Sequence, residues 1–242
     1  MSPMKIDYVI KAMAELIDDY ETVYVGLNSI PALLGAFLAR DMMDKEIRII
    51  GVAEADNPKS ILLSPSTGDP FFLDGAPVMI TADSFDLAQK GELDVMFLGP
   101  AQIDQETNVN LSAIGDYRRP SVKLPGGAAT AYLMPLANKL ILWNLKHSKN
   151  TLVNRVDFVT GTAKYSNNKV FLVTNLAVLR FDRERKKWMV KAVMPWATPE
   201  NIIQNTGFPV EIESTRIVTL YYDEIEYLDM LDPSNLRTAL EF

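Results

Sequence analysis

The chain contains no cysteine and a single histidine, His147, in 242 residues. The first absence excludes disulfides, zinc–thiolate sites, iron–sulfur clusters and cysteine nucleophiles, and it fits a reducing compartment. The second excludes a metal site built from several imidazoles. Long apolar runs are missing too. None approaches the roughly 20 residues that span a bilayer, and Met1 to Ile6 carries one lysine and no apolar stretch of signal-peptide length. Positive charge is in deficit, with 24 Lys and Arg against 31 Asp and Glu and a net charge of −7. That balance argues against nucleic acid or an anionic membrane as partner. One basic cluster, Arg183, Arg185, Lys186 and Lys187, is diluted by Asp182 and Glu184 and reads as a charged hairpin tip. A cytoplasmic enzyme or binding protein remains.

What is present is an ordinary globular balance, 48% apolar and 23% charged residues, in a chain long enough to bury a large core without cross-links. Apolar residues at helical spacing (Ile6, Val9, Ile10, Met13, Leu16, Ile17) predict a helix over 6–20, with Ser2-Pro3 as its start signal. A short strand over 22–25, a helix over 31–40 opened by Pro31, and a continuous apolar strand over 47–52 form a βαβ beginning, so a parallel sheet is expected. Residues 57–77 read as loop, 84–90 as helix, and 94–98, 139–145 and 155–159 as strands. Residues 170–174, 177–181 and 188–193 read as an antiparallel set, with helices over 199–204 and 223–230 and a docking segment over 233–240. The expected fold is α/β. It is a mostly parallel sheet flanked by helices, with an antiparallel β-rich section in the C-terminal half, all within one domain over 1–242.

Ligands of open α/β sheets bind beyond the carboxyl ends of the strands, which directs attention to three places. Glu54, in Gly51-Val52-Ala53-Glu54-Ala55-Asp56, follows a buried strand. A carboxylate there can attack a thioester, giving a mixed anhydride and then a glutamyl thioester; a solvated loop acid would look the same. Asp56 competes for the role, although a turn or cap residue fits it better. Gly126-Gly127-Ala128, after Pro125, can bring main-chain N–H groups close to a ligand as an anion nest or oxyanion hole, or can be an ordinary turn. It matches neither a phosphate-binding loop nor a dinucleotide fingerprint. The polar stretch that contains Gly99, Gln102 and Asn108 is either part of a site or a scaffold of hydrogen-bonded loops. His147 has no nucleophile elbow beside it and is expected to be a structural hydrogen bonder or a site-rim residue.

Six short motifs then occur in one order: Gly99-Pro-Ala-Gln-Ile-Asp104, Asn108-Val-Asn110, Ile114-Gly-Asp-Tyr117, Gly126-Gly-Ala128, Val156-Asp-Phe-Val-Thr160 and Asn205-Thr-Gly-Phe208. Together they resemble the B (beta) component of glutaconate CoA-transferase, in the family I CoA-transferase superfamily, over about 24–208. The resemblance implies a CoA-transferase-type fold, a partner A (alpha) component in a heterodimer or heterotetramer, and an acyl-CoA site between subunits. CoA thioester would be the substrate, with no permanently bound cofactor and no metal. It also implies a catalytic Glu54, with Gly126, Gly127, Ala128, Gly99, Gln102 and Asn108 at the thioester oxygen or the CoA. Arg118, Arg119 and Lys123 are candidates for contact with the anionic coenzyme, or face solvent.

One departure bears on the chemistry. In the transferases the nucleophilic glutamate is followed by Ser-Gly, whereas Glu54 is followed by Ala55-Asp56, and a two-residue shift is needed to bring Glu54 into register. Relatives that open steroid rings as CoA thioesters are similar in this local pattern, and other relatives are decarboxylases. The expected activity is therefore CoA transfer through a glutamyl-CoA thioester. The alternatives are CoA-thioester hydrolysis or carbon–carbon cleavage on the same scaffold, and a non-catalytic acyl-CoA or sugar-phosphate sensor.

Overall fold

A computed structural model describes residues 3–26, 29–59 and 63–242. The fold is α/β, with a mostly parallel sheet flanked by helices and smaller antiparallel sheets. The chain forms two compact units, Met1–Phe97 with Val218–Phe242 and Leu98–Ile217.

In the first unit the helix Lys5–Glu15 buries Ile6, Val9, Ile10 and Met13, the apolar stripe read from the sequence. It is shorter than expected and is entered from Met4; Ser2 lies outside the described residues. The helix Ile30–Asp41 packs on it so closely that a Cβ on Gly35 would lie 3.1 Å from Met13 Cβ and 3.3 Å from the Ile10 carbonyl oxygen. Under this pair, Thr22–Tyr24 runs parallel to Arg48–Ile50 on one side and to Val95–Leu98 on the other, as the apolar, two-face-covered strands required. The loop over 57–77 contains a 3-10 turn, Pro70–Leu73; residues 60–62 lie outside the described residues. The helix read over 84–90 begins three residues earlier, at Thr81, and ends at Gln89.

The C-terminal helix Tyr222–Leu231 and the 3-10 segment Leu236–Leu240 are tied down by one buried cation. The Arg237 guanidinium is 1% exposed. It donates to Asp7 at 2.9 Å and to the Leu228 carbonyl at 2.9 Å, and it also pairs with Asp229 and Asp232. Asp232 in turn accepts the N–H groups of Leu236 and Arg237. Burial pushes the Asp7 carboxyl up while the Met4 N–H and Arg237 pull it down. Such a cluster stands only while every member is present. Removing one partner of a buried pair typically costs about 3–5 kcal/mol, because the remaining charge is stranded.

The second unit holds a five-stranded sheet in the order Val210–Ile212, Lys187–Val193, Ala177–Asp182, Lys169–Thr174, Lys139–Asn144. Its three middle strands are antiparallel neighbours and its two outer pairings are parallel. Asn175 and Leu176 make the tight turn that was read at Asn175, and residues 183–186 form the charged hairpin tip. A four-stranded sheet runs Gly161–Thr162, Asn108–Asn110, Gln102–Asp104, Leu152–Val153, and a small hairpin pairs Ala113–Ile114 with Val122–Lys123. Buried Trp188 links the larger sheet to the four-stranded one by donating from Nε1 to the Asp104 carbonyl at 3.2 Å.

One expected strand is absent. Residues 155–159 are irregular. Side chains rather than a neighbouring strand take two of their N–H groups: Val156 donates to Asp104 and Asp157 to Gln102.

Candidate functional site

Glu54 sits on a two-residue turn rather than directly on a strand end. Ala55 N–H donates to the Val52 carbonyl at 2.8 Å, and the central residues Ala53 and Glu54 both have positive φ, +50° and +60°. Those signs are the pattern of a type I′ turn, and neither residue is a glycine, so each carries backbone strain of about 1–3 kcal/mol. The approach is fixed by Gly51 at φ +85°, where a Cβ would lie 2.7 Å from the Val25 carbonyl oxygen. Met79 N–H donates to the Glu54 carbonyl, and Asp56 N–H to that of Pro77, which anchors the turn on its far side.

The turn holds the Glu54 side chain in solvent, yet in one place. Oε1 accepts both the Thr81 N–H at 2.9 Å and the Thr81 hydroxyl at 2.8 Å, at the first residue of the helix Thr81–Gln89. These two bonds, the main-chain one first, hold the carboxyl below the usual carboxylate range. Oε2 takes no hydrogen bond from the described residues. One oxygen is thus clamped and the other open. The neighbouring acid is occupied: Asp56 receives Arg48 Nε and Nη2, each at 2.7 Å, and this fork holds its carboxyl low. Of the two acids considered, Glu54 is the one with an open oxygen. Its anchor Thr81 was not singled out from the sequence, because the helix was read as starting at Ser84.

In the second unit, five of the six ordered motifs contribute to a hydrogen-bonded network that runs out from the four-stranded sheet. Gln102 is buried; its Oε1 accepts Asn110 Nδ2 at 2.8 Å and the Asp157 N–H at 3.0 Å, and its Nε2 donates to Asp157 Oδ2 at 3.2 Å. Asp157 Oδ2 also accepts the Gly115 N–H at 2.9 Å. Asn108 donates from Nδ2 to Asp104 at 2.9 Å. Both amide side chains are therefore engaged in holding loops. Gly99 faces Trp143, where a Cβ would lie 2.8 Å from the indole, and the buried Trp143 Nε1 has no hydrogen-bond partner among the described residues.

The network ends at the diglycine turn. Thr160 Oγ1 accepts the Leu111 N–H at 2.9 Å and shares a 2.7 Å contact with Ser112 Oγ, while the Leu111 carbonyl accepts the Gly126 N–H at 2.8 Å. Gly126 has φ +102°, and a Cβ on Gly127 would lie 2.4 Å from Thr160 Cγ2. Ala128 follows at φ +40° and Ala129 at −77°, the alternation that turns successive N–H groups toward one point. The N–H groups of Gly127 and Ala128 have no partner among the described residues. The turn thus leaves two main-chain donors unpaired, as an anion cradle requires, and Thr160 is the residue that shapes it.

His147 is a structural bridge. Nδ1 lies 2.8 Å from Thr174 Oγ1 and Nε2 lies 2.9 Å from Thr206 Oγ1. Each threonine hydroxyl also bonds a main-chain carbonyl, Thr206 that of Ile202 and Thr174 that of Ala177. Burial pushes the imidazole down to about 4. Among the described residues no group of three or more His, Asp or Glu side chains could hold a metal ion, and no helix is long and apolar enough to cross a membrane.

Residues 6–205 match the Coenzyme A transferase family model. The chain belongs to this family. It is 28% identical to the B component of 3-oxoadipate CoA-transferase from Pseudomonas knackmussii, over 84% of this chain and 83% of that one. It is 25% identical to the B component of glutaconate CoA-transferase from Acidaminococcus fermentans, over 83% and 81%. Among solved structures, the decarboxylase AibA/AibB superposes with a TM-score of 0.90 at 27% identity, over 99% of each chain. The resemblance read from the six motifs thus holds for family and fold.

Two tests follow from this geometry. Gly127→Ala should destabilise the chain by about 1–3 kcal/mol through the clash with Thr160. Adding Thr160→Ser, which removes Cγ2 and keeps Oγ1, should recover most of that loss in a double-mutant cycle by chemical denaturation; additive losses would disprove the contact. His147 has a folded pKa depressed from 6.5 to about 4. Between those values the unfolded chain binds a proton that the folded chain does not, so stability is full above about pH 6.5 and falls as pH drops toward 4. In His147→Asn the slope of unfolding free energy against pH should lose close to one proton in that window; an unchanged slope would exclude the assignment.

Proposed function

We propose that the chain is the B-type component of an acyl-CoA:carboxylate CoA-transferase, and that its two units act as a single CoA-transferase-type domain with a partner A-type component in the cytoplasm. The observation that carries the reading is Glu54, an exposed carboxylate on a strained turn with Oε1 clamped by Thr81 and Oε2 open. Strain concentrates where a side chain must be aimed.

In the proposed reaction Oε2 attacks the thioester carbonyl, and main-chain N–H groups receive the tetrahedral oxyanion. Collapse expels CoA thiolate and leaves a mixed anhydride between Glu54 and the acyl group. The thiolate then attacks the glutamyl carbonyl, which releases the donor carboxylate and leaves glutamyl-CoA. An acceptor carboxylate repeats the two steps in reverse order, so that Glu54 is regenerated and a new acyl-CoA departs. Only carboxylates and one thiolate exchange places, so no redox cofactor or metal enters the balance. Gly99, Gln102 and Asn108 enter this reading as a supporting layer of the CoA site, because the side-chain amides of Gln102 and Asn108 already hold loops.

A second reading, carbon–carbon cleavage or thioester hydrolysis, draws on two observations. Thr81 lowers the basicity of Glu54, and Ala55-Asp56 follows the glutamate where transferases have Ser-Gly. The two readings separate on the need for an acceptor acid. With the reconstituted complex, acyl-CoA followed by borohydride should reduce the Glu54 thioester and mark that residue in the peptide map. Glu54→Gln should lower transfer by about 10³-fold or more. No mark at residue 54, with turnover surviving the substitution and products forming without a second carboxylic acid, would replace transfer by the second reading.

A further inference from the structure

The small hairpin Ala113–Ile114/Val122–Lys123 carries, at its tip, charge and aromatic surface that the reaction at Glu54 does not use. Tyr117 is 53% exposed and stacks on Phe158 with ring centroids 4.4 Å apart and planes 19° from parallel. Lys123 Nζ lies 5.3 Å from the Tyr117 ring centre. Arg118 and Arg119 follow it in the chain and are exposed. None of these three cations has a carboxylate partner among the described residues, in a chain whose net charge is −7. The nearby acids do not cancel them by contact. Asp116 Oδ1 accepts the Arg118 N–H at 2.8 Å, and Asp157 Oδ2 faces the Gly115 N–H and Gln102.

Three exposed cations on one short hairpin, one of them resting over an aromatic stack, are complementary to a purine carrying phosphates. The aromatic face accepts a base by stacking, and guanidinium and ammonium groups donate to phosphate oxygens. The hairpin's position makes the link to the cradle. Strand Val122–Lys123 runs directly into Leu124, which donates to the Ser112 carbonyl, and then into Gly126. At about 3.3 Å per extended residue, the six steps from Leu111, which holds Gly126, to Tyr117 span at most roughly 20 Å. A pantetheine phosphate arm covers a comparable reach between a thioester and its nucleotide.

We propose that Tyr117, backed by Phe158, stacks the adenine of CoA, and that Arg118, Arg119 and Lys123 hold its phosphates. The proposal rests on the CoA-handling reading above and adds a nucleotide subsite on this chain. Lys123 rests over Tyr117 in the free protein and swings to a phosphate as the base takes its place. That exchange gives up an exposed cation–π contact for a stack and a charge-assisted hydrogen bond, each the stronger interaction.

The test is calorimetric titration of the full chain with adenosine 3′,5′-bisphosphate, and with pantetheine as the probe lacking the nucleotide. The nucleotide should bind with an affinity that falls as salt rises. The dissociation constant should rise at least tenfold in the triple variant Arg118→Gln, Arg119→Gln, Lys123→Gln, and severalfold in Tyr117→Ala. Pantetheine affinity should not differ between the wild type and these variants. All four side chains are exposed, and circular dichroism will confirm that the variants fold. Glu54→Gln should retain nucleotide binding, so failure of the Glu54 chemistry leaves this result standing, and the reverse also holds. Absent nucleotide binding, wild-type affinity in the triple variant, or a loss of partner association with nucleotide affinity unchanged would each overturn the proposal.

Discussion

A carboxylate in open water is a poor and wandering nucleophile, and the two hydrogen bonds from Thr81 to one oxygen of Glu54 are the constraint on which the proposed chemistry depends. They fix where the second oxygen points without burying the group, so the charge keeps its solvation. They also lower its pKa, which keeps it ionised at the expense of some basicity. The turn beneath is strained at Ala53 and Glu54, and the strain is held because the turn is bonded on both sides and entered through a glycine that tolerates no Cβ. In this arrangement the backbone does the aiming and the helix terminus does the holding.

The second unit applies the same economy of parts to the opposite charge. The Gly126-Gly127-Ala128 turn offers main-chain donors, and Thr160 sets their position twice over. Its hydroxyl fixes Leu111 and Ser112, and its methyl fills the space that any side chain at 127 would need. Gln102, Asn110 and Asp157 hold the strands and loops behind it. The motifs are thus largely one structural object.

Fold class was legible because period and length carry it. The stripe from Ile6 to Met13, the Pro31 start, and the continuous apolar run around Ile49 each have one packing solution. Residues 155–159 misled because Val156, Phe158 and Val159 look like a strand. The N–H groups of Val156 and Asp157 pair instead with the side chains of Asp104 and Gln102, a long-range choice that local pattern does not encode. Of the candidate site, the loop positions of Glu54 and the glycines were legible. Thr81 was not, since it reaches Glu54 across 27 residues by a hydrogen bond. Nor does any local pattern announce that Gly127 is small because Thr160 is adjacent.

The proposed transfer requires a carboxylate oxygen to reach the acyl carbon of a CoA thioester. The direct measurement is a crystal structure of this chain with the proposed A-type component and an unreactive acyl-CoA analogue. Glu54 Oε2 is predicted to lie about 3–3.5 Å from the carbonyl carbon, the separation of an attack-ready pose, with the carbonyl oxygen turned to main-chain N–H groups. An analogue whose carbonyl faces a different carboxylate or an ordered water, with Glu54 still resting on Thr81 out of reach, would contradict it.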